Sequence, residues 1–286
     1  MKIAICLSGL TRDFKTIAPH TYEKLAAPLN ADVFIHTWEE ATHKTAMAFP
    51  NSDFGANKDL HSYLKSIFEP EKLFFKQEIQ SAGEWNFLDT SRHRKEIAPM
   101  FYSIYMSNQL KCQHEKATGH KYDVVIRARL DHYFHEKYNF EEELRVIASD
   151  KKQIYVAFNG THRDTRKLPN GFPDGWNETP APSGIYDSSS RLYWRYPNVG
   201  VEDQFAIGCS DSMDIYSNVY INLPAWNPEG GEILLGKAIF GASLSPRWSN
   251  IRFKGLVKID DHHSWYRSYY DEDYEKLDIA KLERVK

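Results

Sequence analysis

Three short apolar runs limit what this chain can fold into. "KIAICL" (2–7), "ADVFIHTW" (31–38) and the start of "YDVVIRARLD" (122–131) place branched and aromatic side chains on consecutive positions. Strands of that kind bury both faces, as in parallel sheets covered by helices. Helix patterns separate them. One is expected from about Thr16 to Leu29, with Pro19 in its first turn, and another over 58–68. "KLFFK" (72–76) reads as a third strand. The β-α-β-α-β order predicts an α/β fold with a mainly parallel sheet flanked by helices.

The pattern continues through the second half. Phe101, Ile104, Tyr105, Asn108 and Cys112 recur at helical spacing within 100–118, and Gly119 is placed to end that helix. Strands are expected at 122–130, 153–158, 203–210 and 251–260. Ser210 or Asp211 is expected to cap a helix reaching about Val219, and 230–242 reads as a further helix. Residues 159–200 hold most of the turn formers and read as one long insertion: a functional lid, a binding loop or disorder. The economical organisation is a single domain. Residues 1–130 make its first half, 131–270 its second, and 271–286 a charged tail that reads as helix or disorder.

Composition sets outer limits. The net charge of −3 gives no overall basic field for nucleic acid. Cys6, Cys112 and Cys209 are scattered and flanked by apolar residues, so buried reduced thiols are expected and a CxxC metal site is excluded. The apolar run at the N-terminus is too short for a signal peptide or a membrane span, so a cytoplasmic protein is expected. Aromatic residues reach 14%, a lean toward stacking on sugars or bases. Oligomeric state is not legible.

The candidate chemistry lies at strand ends, where ligands bind in open parallel sheets. In "LSGLTR", Ser8 and Gly9 form a small turn whose N–H groups can approach a phosphate, and Arg12 adds a cationic fork. The plain alternative is a turn with a solvated arginine. Neither GxGxxG nor a Walker lysine is present, which argues against a dinucleotide enzyme or a P-loop NTPase. His36, Thr37 and Trp38 end the second strand on the same edge. Arg127, Arg129 and Asp131 follow one another at intervals of two, the spacing of one strand face. Two guanidinium forks match phosphate oxygens, while the carboxylate can hold a divalent cation or a sugar hydroxyl, or join a salt-bridge network. Asn108, on the apolar face of its helix, must find a partner, in the cleft or on a neighbouring helix; Tyr102 and Lys111 pose the same question. Glu202 and Asp203 precede an apolar strand and are candidate general bases. In "DDHHSW" (260–265) the adjacent histidines point in different directions; His262 is the one assigned to a cation shell.

Four motifs in order, "LSGLTR" (7–12), "DVFIHTW" (32–38), "YDVVIRARLD" (122–131) and "EDQFAIGCSDSMDIY" (202–216), resemble small nucleotide-sugar glycosyltransferases of the GT-A type. These occur in bacterial surface-polysaccharide clusters and in some large DNA viruses. The resemblance spans about residues 2–240. It implies a GT-A-like, Rossmann-like fold and transfer of a sugar from a nucleoside-diphosphate donor, such as a UDP-sugar, to a glycan hydroxyl. It implies a donor pocket around Ser8, Gly9 and Arg12, extended by His36, Thr37, Asn108, Arg127 and Arg129. It places "RARLD" where such enzymes carry a DxD motif holding Mn²⁺ or Mg²⁺. Asp131 keeps that acidic pattern and position 129 is arginine; residues 1–130 would then be the nucleotide-binding half and 131–270 the acceptor side. Asp203, with Glu202 behind it, is the base expected of an inverting transfer; retention would not need it there.

Two other functions compete. An S-adenosylmethionine-dependent methyltransferase needs an acid near the end of its second strand, and Asp32 begins that strand instead. A non-catalytic carbohydrate-binding protein would keep the fold with a degenerate metal motif.

Overall fold

The computed structural model describes residues 1–11, 14–38, 60–69, 74–80, 97–134, 139–157, 201, 203–226, 230–249, 251, 253–260 and 263–268. The long loop at 159–200 and the charged tail lie outside them, as do Arg12, Glu202 and His262.

The first half of the chain supplies β1 (Ile3–Gly9), β2 (Asp32–Trp38), β3 (Phe75–Gln80), β4 (Val124–Arg129) and β5 (His132–Phe134). The second supplies β6 (Gln153–Ala157), β7 (Phe205–Gly208), β8 (Ser245–Ser249), β9 (Phe253–Asp260) and β10 (His263–Ser268). Seven strands form one sheet in the order β3-β2-β1-β4-β7-β6-β8, and β10-β9-β5 form a smaller one. All adjacent pairs in the large sheet run parallel except those of β7, which is antiparallel to β4 and β6. The expected α/β class is therefore present: a mixed, mainly parallel sheet flanked by helices. Strands from both halves of the chain share it, through β4 beside β7.

Helices cover both faces. On one side lie α1 (Phe14–Thr21), α2 (Leu60–Phe68) and α4 (Glu141–Ser149); on the other α3 (Ile97–Thr118), α5 (Ser210–Ser217), α6 (Val219–Asn222) and α7 (Gly231–Gly241). Each face has its own apolar cluster. Ile5, Val33 and Ile126 point to the first, and Ala4, Phe34 and Val125 to the second. This two-sided burial is why the central strands read as unbroken apolar runs.

Several boundaries differ from the sequence reading. The first helix begins at Phe14, which puts Pro19 in its second turn; a π turn at Tyr22–Ala26 follows, then a last helical turn at Ala27–Leu29. Pro28 has no N–H to give the Lys24 carbonyl, the bond an α-helix would make there, and the Ala27 N–H reaches back to the Tyr22 carbonyl instead. The third strand lies at 75–80 instead of 72–76. β3 is an edge strand, so polar "KQEIQ" is no obstacle to pairing. Helix α5 starts after Cys209 with no side-chain cap, because the Ser210 hydroxyl turns to Glu115 Oε1 at 2.7 Å. Helix α4 and strands β5, β8 and β10 lay outside the expected elements, whereas β9 falls on the strand expected at 251–260. β8 holds Pro246, which an edge strand tolerates.

Helix α3 carries a buried stripe of Ile97, Phe101, Ile104, Asn108, Lys111 and Glu115, at alternating steps of four and three. The stripe starts apolar and ends charged. Gly119 follows with φ +70°, the left-handed conformation expected of a terminating glycine.

Candidate active site at the carboxyl ends of the central strands

Strands β1, β2 and β4 end side by side. Ser8 is in register with both His36 and Arg129, and Gly9 with Thr37. Alternation then puts Ser8, His36, Arg127 and Arg129 on the α3 face. Thus Ser8, Gly9, His36, Thr37, Arg127 and Arg129 meet at one edge. Asn108 does not join them; its amide, two turns further along α3, donates to Asp214 Oδ1 of α5 at 2.8 Å.

The end of β1 is tied down by bonds that the sequence did not disclose. Gly9 has φ +111°, a conformation that favours glycine, and among the described residues a Cβ there would meet nothing within 4 Å. Its N–H donates to Ser103 Oγ at 3.0 Å, and its carbonyl accepts from Thr37 Oγ1 at 2.7 Å. Ser103 Oγ donates to the His36 carbonyl (3.1 Å) and lies 2.9 Å from His36 Nδ1. With the hydroxyl proton committed to the carbonyl, His36 Nδ1 is the donor to Ser103, which sets the tautomer. His36 and Thr37 are both fully buried and shape the turn from beneath. His36, Trp38 and Tyr102 pack as an aromatic group with centroids 5.4, 5.5 and 5.6 Å apart. Ser103 was legible only as a small residue beside the Phe101 and Ile104 stripe.

The opening spacing of Arg127, Arg129 and Asp131 needs one correction. β4 ends at Arg129, and Asp131 lies in the turn that carries the chain from the large sheet into β5 of the small one. It is not on the strand face. Its carboxylate nonetheless meets Arg129: Nε donates to Oδ1 and Nη2 to Oδ2, each at 2.7 Å. Asp131 is 1% exposed, while the Arg129 side chain keeps 27% exposure. Arg127 is buried; Nη1 donates to the carbonyl of Asp203, and Nη2 lies 3.4 Å from Ser8 Oγ. The antiparallel course of β7 explains Asp203: the strand begins where β4 ends, so the residues just before it reach the same edge. The Asp203 carboxylate lies against the first turn of α7, 3.5 Å from where a Cβ on Gly231 would stand.

His132, next to Asp131, is fully buried, and Nε2 donates to Gln204 Oε1 at 3.2 Å. Burial pushes its pKa well below the usual imidazole range, against the pull of Asp131. It is therefore a neutral imidazole. Its place in the sequence, directly after a candidate carboxylate, was the available signal.

The GT-A resemblance implies a divalent cation at Asp131. The side chains here do not fit one. Both carboxylate oxygens already accept charge-assisted bonds from Arg129, in a site closed to solvent. Among the described residues, the group of possible metal-ligating atoms that lies together is Cys112, Glu115 and Asp214, within 4.8 Å of one another. A thiol and two carboxylates are compatible with a divalent cation. The cation among them is the Lys111 ammonium, 2.8 Å from Asp214, 3.1 Å from Glu115 and 2.6 Å from Ser210 Oγ. Burial alone would lower the lysine's pKa; the Asp214 carboxylate outweighs it and holds the group charged. All three cysteines are free, and burial raises the Cys6 and Cys112 thiols to about 12, so neither is a thiolate nucleophile.

Fold and site together define an α/β protein with a polar, arginine-bearing edge at the ends of its parallel strands. No family model and no curated protein matches the sequence. The chain is similar to solved structures at low identity. Core-mannan synthase A from Aspergillus fumigatus in its Mn/GDP form is 11% identical, with 93% of this chain and 76% of that one covered at a TM-score of 0.44. A mannosyltransferase from S. cerevisiae in complex with GDP is 13% identical over 88% and 70%, at 0.39. Mouse xyloside xylosyltransferase 1 is 11% identical over 87% and 83%, at 0.40. No helix among the described residues is long and apolar enough to cross a membrane.

Proposed function

We propose that the chain is a glycosyltransferase that moves a sugar from a nucleoside-diphosphate sugar to a glycan hydroxyl, in surface or viral glycan synthesis. One observation carries this reading. Two arginines, the Ser8–Gly9 turn and Asp203 converge on one edge of the sheet, although they come from distant parts of the sequence.

The chemistry follows from that arrangement. The acceptor oxygen attacks the anomeric carbon as the bond to the donor phosphate breaks, and the nucleoside diphosphate leaves with the electron pair. Negative charge grows on the diphosphate. Arg129, held in a fixed orientation, meets that charge without reorganising, and Arg127 fixes the loop that bears Asp203. In an inverting transfer Asp203 takes the acceptor proton.

The test is a panel of sugar nucleotides scored for release of free nucleotide, beside calorimetric titration with UDP, GDP and S-adenosylmethionine. Release from one donor is expected. Binding of S-adenosylmethionine alone would establish the methyltransferase reading instead. Asp32 gives that reading no support: it sits at the start of β2, where it accepts from Phe74 N–H and Tyr122 Oη. Glu39 and Glu40, which follow β2, lie outside the described residues, so this arm of the titration is the direct check. Binding of a sugar nucleotide with no turnover of any would favour the carbohydrate-binding protein.

A further inference from the structure

We propose that Arg129 stands in for the divalent cation at the donor diphosphate, so that this protein binds its donor without metal. The inference rests on the function proposed above and goes beyond it. A hard cation such as Mg²⁺ or Mn²⁺ binds carboxylate oxygen at about 2.0–2.2 Å and keeps several waters around it. At Asp131 that geometry is pre-empted. Both oxygens accept from one guanidinium at 2.7 Å, and the carboxylate is 1% exposed. A metal could enter only by separating a bidentate pair and hydrating a closed site.

The same pair gives the arginine a task. Its orientation is set through Nε and Nη2, and its side chain keeps 27% exposure at the end of β4. It stands in register with Ser8, beside the Gly9 turn. Guanidinium stays charged at any physiological pH and presents a planar fork that matches phosphate. Arg127, Arg129 and Asp131 together carry one net positive charge. Asp131 is thus a positioning residue, and Arg129 the group that touches the diphosphate.

Calorimetric titration of UDP and GDP into the full chain, once in EDTA and once with excess Mn²⁺, tests this. We expect one nucleotide to bind in EDTA, with an affinity that Mn²⁺ changes by less than about threefold. The double variant Arg129→Met/Asp131→Asn removes both charges without leaving a buried carboxylate unpaired; it should bind about tenfold to a hundredfold more weakly in EDTA. Arg129→Lys, which keeps the charge but not the fork, should bind with intermediate affinity and remain insensitive to EDTA. That pattern decides the matter even where the double variant fails to give a wild-type circular dichroism spectrum. Binding by the wild type only with Mn²⁺ would overturn the inference and leave the proposed function standing. Binding of neither nucleotide in either buffer, with no release of nucleotide from any member of the sugar-nucleotide panel, would overturn both.

Discussion

Replacing Lys111 with methionine tests how the α3–α5 face is held together. The ammonium is fully buried and lies within 3.1 Å of Ser210, Asp214 and Glu115. Methionine matches most of its volume, so the change removes charge with little loss of packing. Two carboxylates then remain at a buried interface without their cation. Breaking a buried pair in this way costs about 3–5 kcal/mol. For a chain of this size each kcal/mol lowers Tm by about 2–4 °C, so a fall of roughly 6–20 °C is expected by differential scanning calorimetry. The pH dependence gives a second reading. In the wild type, burial tends to raise the Asp214 pKa, but the Lys111 ammonium outweighs it and holds it low. A carboxylate of depressed pKa supports the fold above its unfolded pKa of about 3.9, and that support is lost as pH falls through the folded value. Without Lys111, burial is the largest influence left and is opposed only by the bonds from Asn108 and Cys112, so the Asp214 pKa rises and its protonation costs the folded variant less than the wild type. The Tm gap between variant and wild type should therefore narrow between about pH 7 and about pH 4.5. Lys111→Met/Asp214→Asn should lose less than the sum of the single changes. A fall in Tm of less than about 2 °C, with no change in the gap on acidification, would refute the charge compensation argued here.

Further expectations concern the site edge. Gly9→Ala forces an L side chain to φ +111° and meets no clash among the described residues, so a cost of about 1–3 kcal/mol in backbone strain is expected, measurable by urea denaturation. Ser103→Ala removes the hydroxyl that the Gly9 N–H and His36 Nδ1 share, for about 1–3 kcal/mol, and should loosen the Gly9 turn in hydrogen exchange. His132 takes up a proton in the unfolded chain near pH 6.5, but in the folded protein only at lower pH. Its contribution is complete above that range and declines as pH falls, by up to about 1.4 kcal/mol per pH unit; His132→Gln should flatten the Tm-against-pH curve there. Asp203→Asn should slow an inverting transfer by about a hundredfold to ten-thousandfold in single-turnover assays while donor binding persists.

The sequence by itself determined the elements whose signal is local. Apolar runs placed β1, β2 and β4 within a residue or two, and a 3.6-residue period with Gly119 marked α3 and its end. It also showed that arginines and a carboxylate gather where β4 stops. The tertiary structure decided what those groups do. Ser8 meets Arg129 only because β1 and β4 pair in one register across more than a hundred residues. Asp203 reaches the same edge only because β7 runs against its neighbours. Spacing in "RARLD" put both arginines and the carboxylate on one strand face, open to phosphate, a cation or a salt bridge, but the strand ends at Arg129, and the turn after it folds Asp131 back onto that arginine. Likewise Asn108 and Lys111 look alike on the helical period of α3; the arrival of Asp214 on α5 committed both to a packing interface away from the cleft. Periodicity reports which side of an element is buried. The partner of a buried polar group depends on where the rest of the chain comes to lie, because its desolvation must be offset by whichever group arrives there.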